Sequence, residues 1–206
     1  MKTLPLLLLS LPIIAQDTAH IILHKQGYTI DYSRRTATPI RVDWILTKAD
    51  LTAFDRSGVP FAPDLTLPTG WYIAHTSDYA ATGWDRGHCA PSADKQAPTF
   101  IMSNVAPQAP QLNRRSWEHL EAWCRKQAAK GYTVTITAGV CDSIGTIAHG
   151  HITVPGYFWK VVKLAGGKAN RTLYTLFPNT NEAGAVSWPT FTVSPERLRA
   201  KTGIDL

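Results

Sequence analysis

The string Asp85-Arg86-Gly87-His88 sets a proton acceptor beside an acid, a base and a residue with no side chain. A neutral imidazole is the usual general base near neutral pH. Further on, Asn113, Trp117, Glu121 and Arg125 recur every four residues, and on an α-helix such steps drift slowly along one face. Helical side chains lean toward the N-terminus, so Glu121 and Arg125 tilt back toward Asn113. An amide oxygen, a carboxylate and a guanidinium in one line suit a hard cation and a phosphate. Mg²⁺ takes oxygen ligands octahedrally and keeps several waters when few protein groups hold it. Asn113 would bind directly and Glu121 through water. A base that activates water and a cation that holds phosphate charge together hydrolyse phosphodiesters. The helix alone reads more readily as an N-cap asparagine with a surface Glu–Arg pair; His88 shifts the balance toward chemistry.

Within the motif, Asp85 and Arg86 would fix loop geometry, with Arg86 also available to phosphate. Gly87 would leave room for substrate beside the base. His20, His24, His75, His119, His149 and His151 read as structural. His149-Gly150-His151 has the look of a metal pair but no third ligand at suitable spacing, so zinc is not expected there. Cys89, Cys124 and Cys141 form no CxxC pair. In an oxidising compartment they allow one disulfide and one free thiol, without indicating which two would pair. Cys89 is expected to be a small buried hydrophobe, not a nucleophile.

These residues need elements to hold them. Asn113 to Lys130 reads as the one long helix, with Trp117, Leu120, Cys124 and Ala128 at helical spacing and Gly131 as its C-cap. Short β-like runs cover residues 28–32, 41–46, 132–140, 156–164 and 173–177. Residues 55–84 carry Gly58, Pro60, Pro63, Pro68 and Gly70 and predict a long ordered surface loop. Strands around one or two helices, without βαβ alternation, predict an α+β fold.

The chain has 206 residues, enough for one domain with a sizeable core, here expected over residues 21–206. A hydrophobic fraction of 44% with 17% charged residues excludes a disordered chain. Met-Lys-Thr followed by an apolar run from Leu4 to Ala15 reads as a signal peptide over residues 1–15, too short for a membrane span and without a Cys for a lipid anchor. Export to the periplasm or the medium follows, with no stable membrane association once the leader is removed. Net charge is +6, about +5 without Lys2, which favours a polyanionic partner such as nucleic acid.

Taken together, residues 85–91 (Asp-Arg-Gly-His-Cys-Ala-Pro), Ser103 to Gln108, Leu112-Asn113, Trp117 to Glu121, Val154 to Lys160, Leu176 to Asn179 and Thr202 to Asp205 resemble the DNA/RNA non-specific endonuclease family. These are the ββα-metal, or His-Me finger, nucleases. The likeness spans most of residues 25–206. It implies a ββα-metal fold, mainly antiparallel sheet with a long helix at the metal site. It implies that His88 is the general base, Asn113 the direct Mg²⁺ ligand and Glu121 the residue that reaches the ion through water, with Mn²⁺ able to substitute. Arg125 and Arg86 would face the phosphate and belong to the catalytic and substrate-binding sets, and Arg56 matches a further phosphate-facing arginine more weakly. Asn104, counted with the catalytic set, and Gln108, counted with the substrate-binding set, match polar residues that line and brace the site. Cys89 departs from the Leu or Gln usual after the motif histidine, a change in packing only.

The resemblance implies hydrolysis of DNA and RNA with weak base selectivity, since contacts to phosphates carry no sequence information directly. Two other readings remain at this stage. A secreted nucleic-acid-binding protein that lost its chemistry would not need His88, Asn113 and Glu121. A metal-dependent hydrolase of small phosphodiesters would differ in the length of its substrates. Oligomeric state is not readable from the sequence.

Overall fold

A computed structural model describes residues 19–166 and 170–205. The expected leader, residues 1–15, lies outside them. Ten strands run in chain order: β1 His20–Lys25, β2 Tyr28–Ser33, β3 Thr38–Leu46, β4 Asp85–His88, β5 Val105–Gln108, β6 Thr133–Cys141, β7 Gly145–Ile147, β8 Ile152–Val154, β9 Tyr157–Ala165 and β10 Arg171–Pro178. The helices are α1 Ser92–Lys95, α2 Glu118–Ala129, α3 Asn181–Gly184 and α4 Pro195–Thr202, with a wide π turn over Leu112–Trp117 leading into α2.

The main sheet has six strands in the order β1-β2-β3-β6-β9-β10, each neighbouring pair antiparallel. All five predicted runs fall on its strands β2, β3, β6, β9 and β10, none overrunning its strand by more than one residue, while β1 was not foreseen. Its two faces divide the core by the alternation of strand side chains. On β9, Phe158 and Val162 face the larger core beneath α2, while Trp159 and Val161 pack with Leu176 and Leu198 under α4. Leu120, Cys124 and Ala128 of α2 are fully buried; enclosing a leucine side chain contributes about 1.5–3 kcal/mol. Gly131, at φ +93°, ends the helix as its position predicts. The architecture is α+β.

The Asp85–His88 motif sits on a strand, not in a loop. β4 pairs antiparallel with β5, His88 opposite Val105 and Asp85 opposite Gln108. Asp-Arg-Gly-His has no apolar alternation and β5 contains Pro107, so neither announces a strand. Gly87 also differs from expectation. A Cβ there would come within 2.2 Å of Gln108 Oε1, so the missing side chain makes room for Gln108 across the hairpin, not for substrate.

Residues 55–84 form the predicted long ordered loop. Asp64, buried within it, accepts from Ser103 Oγ at 2.5 Å and pairs with Lys25 Nζ at 2.7 Å. Ala62 bridges to Ile101 through backbone bonds of 2.9 Å to Phe100 and Met102. These ties press the loop against the β4–β5 hairpin. Among the described residues the three cysteines are all unpaired, Cys89 and Cys124 buried, and burial pushes both thiols up to about 12. The allowed disulfide does not form.

Candidate active site

The long loop, β4, α1 and the π turn with α2 meet around a cleft of about 440 Å³. Arg56, Arg86, His88, Asn113, Glu121 and Arg125 all line it. The structure therefore gathers six side chains from a stretch of seventy residues.

Asn179 and Asn181 set the start of the helix. Asn179 is buried, accepts from Ala109 N at 2.8 Å, and donates to the carbonyls of Pro107 and Pro155 at 3.0 and 2.8 Å. Asn181 accepts from Gln111 N at 3.0 Å. The π turn that follows changes the predicted face. With i→i+5 bonding a turn consumes more residues than in an α-helix, so Glu118, not Trp117, lies in the cleft with Asn113, Glu121 and Arg125. Trp117 turns into the core at 1% exposure and its Nε1 donates to the His88 carbonyl at 3.3 Å.

Asn113 Nδ2 donates to Asp85 Oδ2 at 2.9 Å. The same carboxylate accepts from Arg114 Nε and Nη2 at 2.8 and 2.7 Å. A carboxylate only accepts, so the group that faces it must be the amide NH₂ and the Asn113 oxygen is turned away from it. Glu121 offers a second oxygen donor: Oε1 lies 3.3 Å from Lys160 Nζ, and Oε2 has no hydrogen bond among the described residues. Burial raises the Glu121 carboxyl from 4.5 to about 7, against the opposing pull of Lys160. Among the described residues no three His, Cys, Asp or Glu side chains come together as a metal cage. An ion here would be held by an amide oxygen, a carboxylate and water, a donor set that suits Mg²⁺.

The His88 ring is held by packing. Phe61 lies 5.0 Å and Phe100 5.2 Å from it, centroid to centroid, and among the described residues nothing hydrogen-bonds its enclosed Nε2. Burial, then the charges of Arg56 and Arg86, lower its pKa from 6.5 to about 3. The ring is neutral at every ordinary pH. The two arginines lie over aromatic faces, Arg86 at 4.9 Å from Phe61 and Arg56 at 6.0 Å from Phe100. Arg125 lines the cleft with its donors already engaged, Nη2 on Glu118 at 3.1 Å and Nη1 on Asp94 at 3.4 Å.

Two expected site residues are not in the cleft. Asn104 is fully buried, accepts from Ala90 N at 3.1 Å and donates to the carbonyls of Ala90 and Thr99 at 2.9 and 3.0 Å. It braces the backbone behind His88. Gln108 is 0% exposed and packs over Gly87, so its side chain does not line the cleft. Both are polar residues of the hairpin, and only their depth separates bracing from lining. Arg114, Glu118, Phe61 and Trp84, to which the sequence reading gave no role, line the cleft. Arg114 follows Asn113 directly, but its fork onto Asp85 depends on the π turn.

Comparison with known proteins gives the family. Residues 13–206 match the family model described as DNA/RNA non-specific endonuclease. A nuclease from Nostoc sp. is 36% identical over 199 residues, covering 89% of this chain and 72% of that protein. Human mitochondrial endonuclease G is 29% identical over 201 residues, covering 87% and 67%. A crystal structure of the EndoG/EndoGI complex, described as showing the mechanism of EndoG inhibition, superposes with a TM-score of 0.82 at 25% identity, covering 90% of this chain and 84% of that one. The fold is that of the ββα-metal nucleases, and the chain belongs to the DNA/RNA non-specific endonuclease family, a nuclease and hence a hydrolase.

Proposed function

We propose that this nuclease is exported and cuts DNA and RNA internally with Mg²⁺, Mn²⁺ serving in its place. The observation that carries the reading is the Asp85–Asn113 contact, which turns an amide oxygen away from Asp85 in a cleft that also holds a neutral histidine and four arginines. Asn113 Oδ1 would hold the ion directly and Glu121 through water. Bound there, Mg²⁺ supplies Lewis-acid neutralisation of charge on the phosphate and the departing oxygen.

The chain's own residues do the rest. Arg86 and Arg56 bind the phosphodiester and bring it beside His88. Nε2 of His88 is enclosed, so Nδ1 takes the proton of the attacking water. The arginines that depress the base in the free protein are matched by the phosphate when substrate is present. Binding therefore raises its proton affinity at the moment of use. In-line departure of the 3′ oxygen leaves 5′-phosphate and 3′-hydroxyl ends. Arg125 stabilises the extra negative charge of the pentacoordinate state by exchanging its bond to the half-exposed Glu118 for one to phosphate.

Export rests on the leader pattern of residues 1–15. Among the described residues no helix is long and apolar enough to cross a membrane. N-terminal sequencing of protein recovered from periplasm or medium should begin after Ala15.

The deciding experiment incubates the purified protein with plasmid DNA and with RNA, with and without chelator. Cutting of both that stops on chelation is expected. Full activity in excess chelator would remove the metal from the mechanism. Binding without cutting would favour a nucleic-acid-binding protein, and turnover of small diesters alone a different hydrolase.

A further inference from the structure

Strand β9 is buried on both faces, yet Lys160 sits at its centre with 1% exposure, on the side that faces the larger core. Among the described residues it is the one buried lysine. An enclosed ammonium is unfavourable unless its charge is matched. Here it is matched on three sides. Glu121 Oε1 lies at 3.3 Å, the Trp117 ring centroid at 4.0 Å and the Trp44 ring centroid at 5.5 Å.

Each of these neighbours is tied to the cleft. Glu121 lines it directly. Trp117 Nε1 donates to the carbonyl of His88 at 3.3 Å. Trp44 Nε1 donates to Asp94 Oδ2 at 3.0 Å, and Asp94 Oδ1 accepts from Arg125 at 3.4 Å. One ammonium thus stands beneath the supports of the carboxylate, the base and an arginine. The mechanism proposed above does not use it.

We propose that Lys160 is a positioning residue for hydrolysis: it anchors Glu121 Oε1 from below the cleft and leaves Oε2 free for the water through which Glu121 reaches the cation. This rests on the reading of Glu121 under Proposed function. The two indole faces hold the ammonium in register, because a cation over each ring face is attracted by the ring quadrupole. The sequence carries the trace of this arrangement as a lysine inside the apolar run Tyr157 to Val162.

The test is a double-mutant cycle on plasmid cleavage at saturating Mg²⁺, with kcat and KM measured for wild type, Lys160→Met, Lys160→Arg, Glu121→Gln and the Glu121→Gln/Lys160→Met double variant. Lys160→Met should lower kcat about 10- to 100-fold, the usual cost of losing a group that orients a metal-site residue. KM should stay within about threefold, because the phosphate-facing arginines are untouched. In the Glu121→Gln background the same change should cost less than about threefold, since the lysine no longer has a carboxylate to hold. Equal losses in both backgrounds would overturn the proposal. If Lys160→Met accumulates unfolded, Lys160→Arg carries the test: it retains a cation that can donate to Glu121 and lie over the indole faces, so it should lose less kcat than Glu121→Gln, and a loss as deep as that of Glu121→Gln overturns the proposal. Glu121→Gln cutting at the wild-type rate would sink the Glu121 assignment itself. A crippled Glu121→Gln beside an unaffected Lys160→Met would sink only the role of Lys160.

Discussion

The Asp85 carboxylate accepts from Asn113 Nδ2 at 2.9 Å and so decides which end of that amide is turned away from it. Asp85 is itself steadied by the two-pronged contact of Arg114. Asp85→Asn removes the compulsion, because an amide can present either its oxygen or its NH₂ to Asn113. The Mg²⁺ concentration for half-maximal cleavage should rise about 10- to 100-fold, with the rate partly recovered at high metal. An unchanged half-saturation in a Mg²⁺ titration would show that Asp85 does not orient the ligand.

His88 and Asn113 should fail differently. His88→Ala should lower turnover about 10²- to 10⁴-fold whatever the metal concentration, as expected for loss of a positioned base. Asn113→Ala removes a ligand, a loss that mass action offsets, so added Mg²⁺ should recover part of its rate. Turnover of both variants across a Mg²⁺ titration decides this; recovery of His88→Ala but not of Asn113→Ala would reverse the two roles.

The same cleft contains two groups whose titration acts on stability in opposite directions. The folded pKa of His88 is lowered from 6.5 to about 3. Its contribution to stability is complete above pH 6.5 and is lost as pH falls toward 3. Glu121 is raised from 4.5 to about 7. Its contribution is complete below pH 4.5 and is lost as pH rises through 7. Melting of metal-free protein should therefore show wild type losing ground to His88→Gln on acidification from pH 6.5, and losing ground to Glu121→Gln between pH 5 and 8. Parallel melting curves across that range would contradict both assignments.

Salt should slow cleavage steeply at subsaturating substrate. The net charge is +6, and Arg56, Arg86 and the 64%-exposed Arg114 edge the cleft. If about three phosphates are neutralised, log(kcat/KM) should fall with log[salt] at a slope near −3, less steep on single strands. Arg56→Ala should reduce that slope by about one. A flat response would argue against a polyanionic substrate.

Residue identity alone carried the chemistry. A histidine in Asp-Arg-Gly-His, followed by Asn113 and Glu121 on a helix, suggests a base and a hard-cation site by types and spacing, because those functions belong to particular atoms, and the family resemblance turned the suggestion into an expectation. Five of the six strands of the main sheet were legible for a related reason, β1 being the exception: β-branched runs such as Thr133 to Ile136 advertise a pleated, half-buried surface. Tertiary structure decided what depends on depth and register. The π turn substituted Glu118 for Trp117 on the cleft side, since a wider turn breaks the four-residue step on which a helical-face argument rests. Asn104 and Gln108 differ from true lining residues only in being enclosed, and Gly87 serves Gln108 because strand pairing sets Gly87 opposite Ala106 and so diagonal to Gln108 on the same face. The partner of Asn113 is 28 residues away on another element, and the partner of Glu121 is 39 residues away on a third. Hydrogen bonds over such separations are set by packing, and no local pattern in the chain encodes them.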